Sequence, residues 1–284
     1  MHDWQGWIGR EEYREDRLDA GRVTRWCATL DRDPPTGGTA PQGLHWCLDL
    51  PDTPSAALGA DGHPVRNDAP GSLLPPIPLP RRMWASGSVE FHAPLPVGVA
   101  IVRTSLIAKI TARAGSNGPL VFVDLVHRIC HGTTLALTET QTLVYREAVP
   151  AGAAPTPLPL GPGQFDAAAW TAVRTINPDP ILLFRYSALS FNSHRIHYDR
   201  PYATGVEGYR GLVVHGPLLA SLLLDLARRQ LGENRLATFR FRALSPAIAG
   251  ETLHLALRVA DDRTLVFGVF ADDGRQIMDA SGNW

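Results

Sequence analysis

The chain has 284 residues, 44% of them hydrophobic and 19% charged, with a formal net charge of −1. That length suits one large domain or two small ones, and the balanced charge gives no field favouring a nucleic acid or an anionic membrane. Apolar runs are too short for a transmembrane helix, the N-terminus "MHDWQGWIGREEYREDRL" lacks the basic-then-apolar order of a signal peptide, and Cys27, Cys47 and Cys130 lack metal-ligand spacing, so a cytoplasmic protein with reduced thiols is expected.

Residues 3–30 read as a charged helical segment anchored by Trp4, Trp7, Trp26 and Leu30, followed by a Pro/Gly loop over 31–43. "LHWCLDL" (44–50) can form a strand. Residues 51–80 hold too many prolines for a helix or a central strand, and the Leu and Ile among them suggest an ordered wrap over a surface or pocket. From Gly87 to Glu147 the pattern is β, rich in branched and aromatic residues, with breaks at "AGSNG" and "CHG" that make three or four antiparallel strands. The stretch 148–163, "VPAGAAPTPLPLGPGQ", resists both helix and sheet and reads as a linker between two halves.

The second half is expected to open with a short helix, "FDAAAWTAVRTI", and a strand, "PILLFRYSAL". After a polar loop, "GPLLASLLLDLARRQLG" carries Pro217 at a helix start and Gly232 just past its end. This helix is apolar nearly all round and should be buried. Three strands, "LATFRFRALSPAIAG", "ETLHLALRVAD" and "RTLVFGVFADDGRQIMDASGNW", close the chain. "VEFHAPLPVG" in the first half resembles "FRFRALSPAIAG" in the second, so both halves are expected to share one plan, a sheet wrapped around a helix.

The polar loop, "YSALSFNSHRIHYDRPYA" (186–203), carries the chemistry. Neutral imidazole at His197 can take a proton from water and return it. Asn192, five residues earlier, offers a donor and an acceptor for the same water. "VVHGP" leads into the buried helix, whose first N–H groups and dipole suit a developing oxyanion. Together these are the minimum kit for adding water to an activated alkene. Each residue also has a plainer role: most single histidines are structural, His194 can serve as a loop hydrogen-bonder, His215 can brace the loop, Asp199 can cap a helix, and Tyr186 and Tyr202 can simply pack. Arg185, Arg195 and Arg210 would ordinarily be solvated or paired. A zinc site at His194, His197 and His215 is disfavoured, because no Cys or Glu cluster lies near them.

At this loop the chain resembles the MaoC-like hydratases and dehydratases of the hot-dog fold, whose fingerprint runs roughly Gly-Asp-x-Asn-Pro-x-His-x-Asp. In "FNSHRIHYD" His197 falls on the family's catalytic histidine, Asp199 on the acidic residue two beyond, and Asn192 where the family has its catalytic aspartate. "VVHGPLLASLL" and "LSPAIAGETL" resemble the family's helix start and its strand turn. "LPPIPLPRRMWASGSVEFHAPLPVG", "GPLVFVDLVHR", "TQTLVYRE" and "SFNSHRIHYDRPYA" extend the resemblance over nearly the whole chain. They are similar to the double-hot-dog branch of mesaconyl-C4-CoA and itaconyl-CoA hydratases and mitochondrial-type hydroxyacyl-thioester dehydratases.

The resemblance implies an α+β double hot dog, an antiparallel sheet wrapped around long central helices. Residues 1–147 would be a substrate-binding half with a degraded helix region, 148–163 the linker and 164–284 the catalytic half. The implied enzyme is a hydro-lyase that hydrates a branched C5 dicarboxylyl-CoA, mesaconyl-C4-CoA or itaconyl-CoA, to citramalyl-CoA in itaconate and mesaconate catabolism. His197, Asn192 and the Gly216 N–H would be catalytic. Arg185, His194, Arg195 and Arg210 are the candidates to meet the distal carboxylate, with Tyr186 and His215 as further substrate contacts. Residues 73–84 would line the acyl or pantetheine tunnel. The resemblance implies no metal and no cofactor beyond the CoA of the substrate, no nucleic-acid or membrane partner, and a homodimer. A 3-hydroxyacyl-thioester dehydratase is the alternative. A thioesterase would need a helical carboxylate such as Asp225, and a non-enzymatic thioester-binding module would be expected to lose His197.

Overall fold

The computed structural model describes residues 4–66, 69, 72–115, 118–150 and 152–284. The turn expected at Ser116–Asn117, Asp3 of the N-terminal segment, residues 67, 68, 70 and 71 of the Pro-rich stretch and residue 151 of the linker lie outside them.

The first half runs β1 (Glu11–Arg17), α1 (Ala20–Thr29), an irregular stretch to residue 80, then β2 (Arg81–Phe91), β3 (Ala100–Gly115), β4 (Gly118–His131) and β5 (Thr134–Arg146). The second half runs β6 (Ala172–Ile176), α2 (Pro180–Ser190), α3 (Arg200–Gly205), α4 (Gly216–Leu231), β7 (Thr238–Ala243), β8 (Leu253–Asp261), β9 (Thr264–Ala271) and β10 (Gln276–Asn283). The strands form one ten-stranded sheet in the order β1-β3-β4-β5-β2-β7-β10-β9-β8-β6. Neighbours pair antiparallel throughout. The order is a palindrome: β1 answers β6, β3 answers β8, β4 answers β9, β5 answers β10, and β2 meets β7 at the centre through Ser86↔Arg242 to Glu90↔Thr238.

Several sequence expectations are corrected. The N-terminal segment is not one helix. "EEYREDR" alternates in exposure along β1, a charged edge strand that pairs with β3, and only residues 20–29 are α-helical, started by Asp19 accepting from the Arg22 N–H at 2.8 Å. "LHWC" is a 3-10 turn, burying Leu44, His45 and Cys47 together. "FDAAAWTAVRTI" holds a single 3-10 turn at Ala167–Ala169 and then β6. "PILLFRYSAL" is the helix α2, not a strand: Asp179 accepts from the Leu182 N–H at 2.8 Å and Pro180 occupies the first turn. The chain closes with four strands, because the last segment folds back as the β9–β10 hairpin.

α4 packs on β8 and β9, and its residues from Leu218 to Ala227 are buried. Its one carboxylate, Asp225, is tolerated because Arg228 Nε (2.8 Å), Arg229 Nε (2.9 Å) and Arg174 Nη1 (3.1 Å) surround it. The described residues of 148–163 form no helix or strand but lie against the second half, where Thr156 N–H donates to Gly208 O at 2.8 Å and Gly161 N–H to Asp273 Oδ2 at 2.8 Å. Among the described residues no helix is long and apolar enough to cross a membrane.

Candidate active site

Helix α2 ends at Phe191, whose left-handed φ of 46° turns the chain out of the helix. The Asn192 side-chain oxygen then accepts from the His194 N–H at 3.0 Å, locking a tight turn. A 3-10 turn over Arg195–His197 follows, and Asp199 starts α3 by accepting from the Tyr202 N–H at 3.1 Å.

His197 is buried, and its Nδ1 lies 2.7 Å from Val213 O. A carbonyl can only accept, so Nδ1 carries the proton and Nε2 keeps its lone pair. Burial pulls the imidazole down to about 4, so it is neutral at pH 7. The His215 ring stacks on it at 3.6 Å and is itself braced by Ser187 Oγ, 2.9 Å from Nε2. His215 is also the residue before α4, so the base and the helix start are joined ring to ring. Gly216, the first residue of α4, has open space where a Cβ would stand, and a first-turn N–H has no partner within its own helix.

Asn192, His194, His197, His215 and Gly216 all line one cavity of about 1430 Å³. The first half builds the opposite wall with Arg82 and Trp84 of β2, and Leu73 and Leu74 of the Pro-rich stretch also line it. The other expected residues are not brought to the wall. Arg185 is exposed on α2. Tyr186 is fully buried behind His215, ring centroids 5.1 Å apart. Arg195 is spent on Asp199 (2.7 Å) and on Ala60 O (2.9 Å). Arg210 is paired with Glu251. Asp225, the helical carboxylate considered for a thioesterase, is enclosed by its arginines and lines no part of the cavity.

Sequence reading missed the contribution of residues 59–66. Gly62 packs so closely on the catalytic loop that Ser193 Oγ donates to its carbonyl at 2.5 Å, while Arg195 N–H donates to Asp61 O at 2.9 Å. This contact delivers His63 to the cavity, with His63 Nδ1 2.9 Å from Asp61 Oδ2. The His63 and His194 rings lie 4.1 Å apart, and His194 meets His197 edge-on at 5.5 Å. Burial lowers the His194 pKa to about 2, and burial followed by the Arg82 charge lowers that of His63. Asp61, His63 and His194 place ligand atoms within 4.8 Å of one another, a group that could hold a metal ion. The Asp61 carboxylate is already engaged by His63, and the Arg82 charge acts on both rings. An Asp and a His two apart in a Pro-rich loop gave no periodic signal to find them by.

Comparison with known proteins places the chain. The family model for hydroxyacyl-thioester dehydratase type 2 matches residues 43–249. The chain is 45% identical over 266 residues to the mesaconyl-C(4)-CoA hydratase of Chloroflexus aurantiacus, covering 92% of this chain and 91% of that protein. A MaoC-like dehydratase from Phytophthora capsici shares the fold with a TM-score of 0.68 at 15% identity, over 98% of this chain and 95% of that one. A Mycobacterium tuberculosis protein described as a double hot dog does so with a TM-score of 0.61 at 16% identity, over 97% and 96%. The chain is thus a double hot dog and belongs to the hydroxyacyl-thioester dehydratase type 2 family, hydro-lyases of the MaoC-like group.

Proposed function

We propose that the protein hydrates an enoyl-CoA thioester bearing a second carboxylate, with mesaconyl-C4-CoA the first candidate and itaconyl-CoA the second, giving citramalyl-CoA. The observation that carries the reading is that one cavity is lined by a buried neutral imidazole, a side-chain amide and the start of a buried helix. The Chloroflexus relative supports the acyl group.

On mesaconyl-C4-CoA, whose double bond is conjugated with the thioester, Asn192 holds a water and His197 Nε2 removes its proton. The hydroxide oxygen bonds to the β-carbon, the double-bond electrons move to the thioester oxygen, and the Gly216 N–H stabilises that oxyanion. One such donor contributes about 3–4 kcal/mol to the transition state. The enolate then collapses, and His197 returns the proton to the α-carbon, so atoms and charge balance. The second half supplies these groups, and the first half walls the substrate. The family's description favours a second reading, in which the same groups run the reverse reaction on a 3-hydroxyacyl thioester.

A panel of mesaconyl-C4-CoA, itaconyl-CoA, crotonyl-CoA and a 3-hydroxyacyl-CoA, followed by enoyl-thioester absorbance or mass, separates the readings. The expected result is the highest kcat/KM on a dicarboxylyl thioester. Highest kcat/KM on the 3-hydroxyacyl species would replace this reading with the dehydratase.

A further inference from the structure

We propose that Arg82, on the cavity wall with His63 and His194, is the residue that binds the distal carboxylate and makes the enzyme selective for dicarboxylyl thioesters. The inference rests on the substrate class proposed above and names what recognises it.

The chemistry sets the requirement. In a mesaconyl-C4 thioester the second carboxylate sits on the carbon that water attacks. Its negative charge opposes both the incoming hydroxide and the enolate that follows. A cation must therefore stand beside the base, and a guanidinium is best suited because it can grip both carboxylate oxygens.

The arginines of the cavity can be sorted by what they already hold. Arg81 is ion-paired with Glu207 at 2.5 Å. Arg66 donates to Ile77 O, Leu79 O and Pro80 O, tying down the Pro-rich stretch. Arg103 donates to Asp49 O at 2.9 Å and faces the buried polar groups of the first half. Arg146 lies near Arg81, Tyr209 and Glu207. Arg82 differs. It is half-buried on β2, lines the cavity, and among the described residues holds neither a carboxylate in an ion pair nor a backbone carbonyl. Across the ladder it faces Tyr145, whose buried hydroxyl lies beside it.

Arg82 shares the cavity wall with His63 and His194, and its positive charge acts on both rings. Those two rings stand 4.1 Å apart, and His194 is 5.5 Å from His197. Asp61, the nearby acid, is occupied by the His63 ring and its backbone N–H. A half-buried guanidinium with no ion-paired carboxylate among the described residues, on the same cavity wall as His63 and His194, offers a place for a carboxylate of the substrate.

The test is binding of two saturated, unreactive thioesters, succinyl-CoA with a distal carboxylate and butyryl-CoA without, to wild type, Arg82→Gln and Arg82→Lys by calorimetry. Wild type should prefer succinyl-CoA. Arg82→Gln should lower that preference about a hundred-fold, the size expected when one partner of a buried charged hydrogen bond is removed. Arg82→Lys should restore part of it. Binding of butyryl-CoA by the variant reports that the fold is intact. A succinyl preference that survives in Arg82→Gln overturns the role of Arg82 while leaving the substrate class standing. A wild type with no succinyl preference and no hydration of mesaconyl-C4-CoA overturns both.

Discussion

Replacing Gly62 by alanine should damage the active site more than the fold. Gly62 has a φ of 86°, in the left-handed region, and an added Cβ would overlap the Ser193 carbonyl oxygen. An L-residue in that conformation costs about 1–2 kcal/mol. Escaping the overlap means lifting the 59–66 loop and breaking three contacts: Ser193 Oγ to Gly62 O (2.5 Å), Arg195 N–H to Asp61 O (2.9 Å) and Arg195 Nη1 to Ala60 O (2.9 Å). At about 0.5–1.5 kcal/mol per hydrogen bond, the docked arrangement loses roughly 3–6 kcal/mol in all. The loop is irregular and partly exposed, so this cost favours local undocking over global unfolding. Undocking withdraws His63 and frees Ser193–Arg195 in the catalytic loop. The expected outcome is at least a tenfold fall in kcat/KM, faster amide exchange over 59–66 and 192–197, and a Tm lowered by only a few degrees. Unchanged turnover and unchanged exchange in a folded variant would refute the argument that this loop shapes the site.

Three other outcomes are expected. His197→Ala should lower kcat by about 10²–10⁴-fold with the thermal transition preserved, measured by water addition to mesaconyl-C4-CoA. Asp225→Ala should leave kcat intact, because the residue lines no part of the cavity, yet cost about 3 kcal/mol in denaturant unfolding by leaving Arg174, Arg228 and Arg229 uncompensated. Stability should peak between two opposed titrations. His197 and His127, held at about 4, and His45, held at about 3, are depressed by burial, so the stability they contribute is lost as pH falls below 6.5. Burial raises Glu139 to about 7, so its contribution is present below 4.5 and lost as pH rises through 7. Glu139→Gln keeps the oxygen that accepts from Trp46 Nε1 at 2.8 Å, and should therefore flatten the alkaline limb of Tm against pH while leaving the acid limb.

That Asn192, His197 and Gly216 meet at one cavity was legible because their placement is local: they are close in sequence and are set by a helix end, a tight turn and a helix start. The long strands β3, β4 and β5 and the helix α4 were legible from composition and end signals alone. "PILLFRYSAL" misled because its apolar run fits a buried strand, although the Asp179–Pro180 start belongs to a helix. The charged "EEYREDR" hid a strand because the edge of a sheet tolerates charge on both faces. The distal-carboxylate candidates were sought near the motif, at Arg185, His194, Arg195 and Arg210. Ion pairs or exposure take the three arginines away from the cavity and only His194 lines it, while Arg82 arrives from the other half by sheet pairing that no local pattern reveals.

The repeat seen in the sequence has a structural counterpart that explains why the site is composite. Thr39 bridges to Pro96 as Val213 bridges to Ile248, and the next N–H groups, Ala40 and Val214, donate to Leu95 O at 2.8 Å and Ala247 O at 2.9 Å. Counting on from these matched pairs, Leu44 stands where Leu218 opens the buried face of α4, and both are wholly buried. In the second half Pro217 sits in the first turn of α4, which then runs to Leu231. In the first half Gly43 takes its place with a φ of 97°, and the helix collapses to the single 3-10 turn Leu44–Cys47. His45 and Trp46 then turn to the buried Glu139, at 3.7 Å and 2.8 Å, so polar contacts occupy ground that α4 fills with leucine in the second half. Without a helix here, the described residues between 48 and 80 reach the cavity, where His63, Leu73 and Leu74 line it. Their prolines prevent them from folding back as regular structure, and Arg66 binds them at three carbonyls. That course sets Leu73, Leu74 and His63 against a base and a helix start contributed by the other half. One half therefore carries a long buried helix whose start lines the cavity, and the other has in its place a short turn followed by a Pro-rich wall of the same cavity.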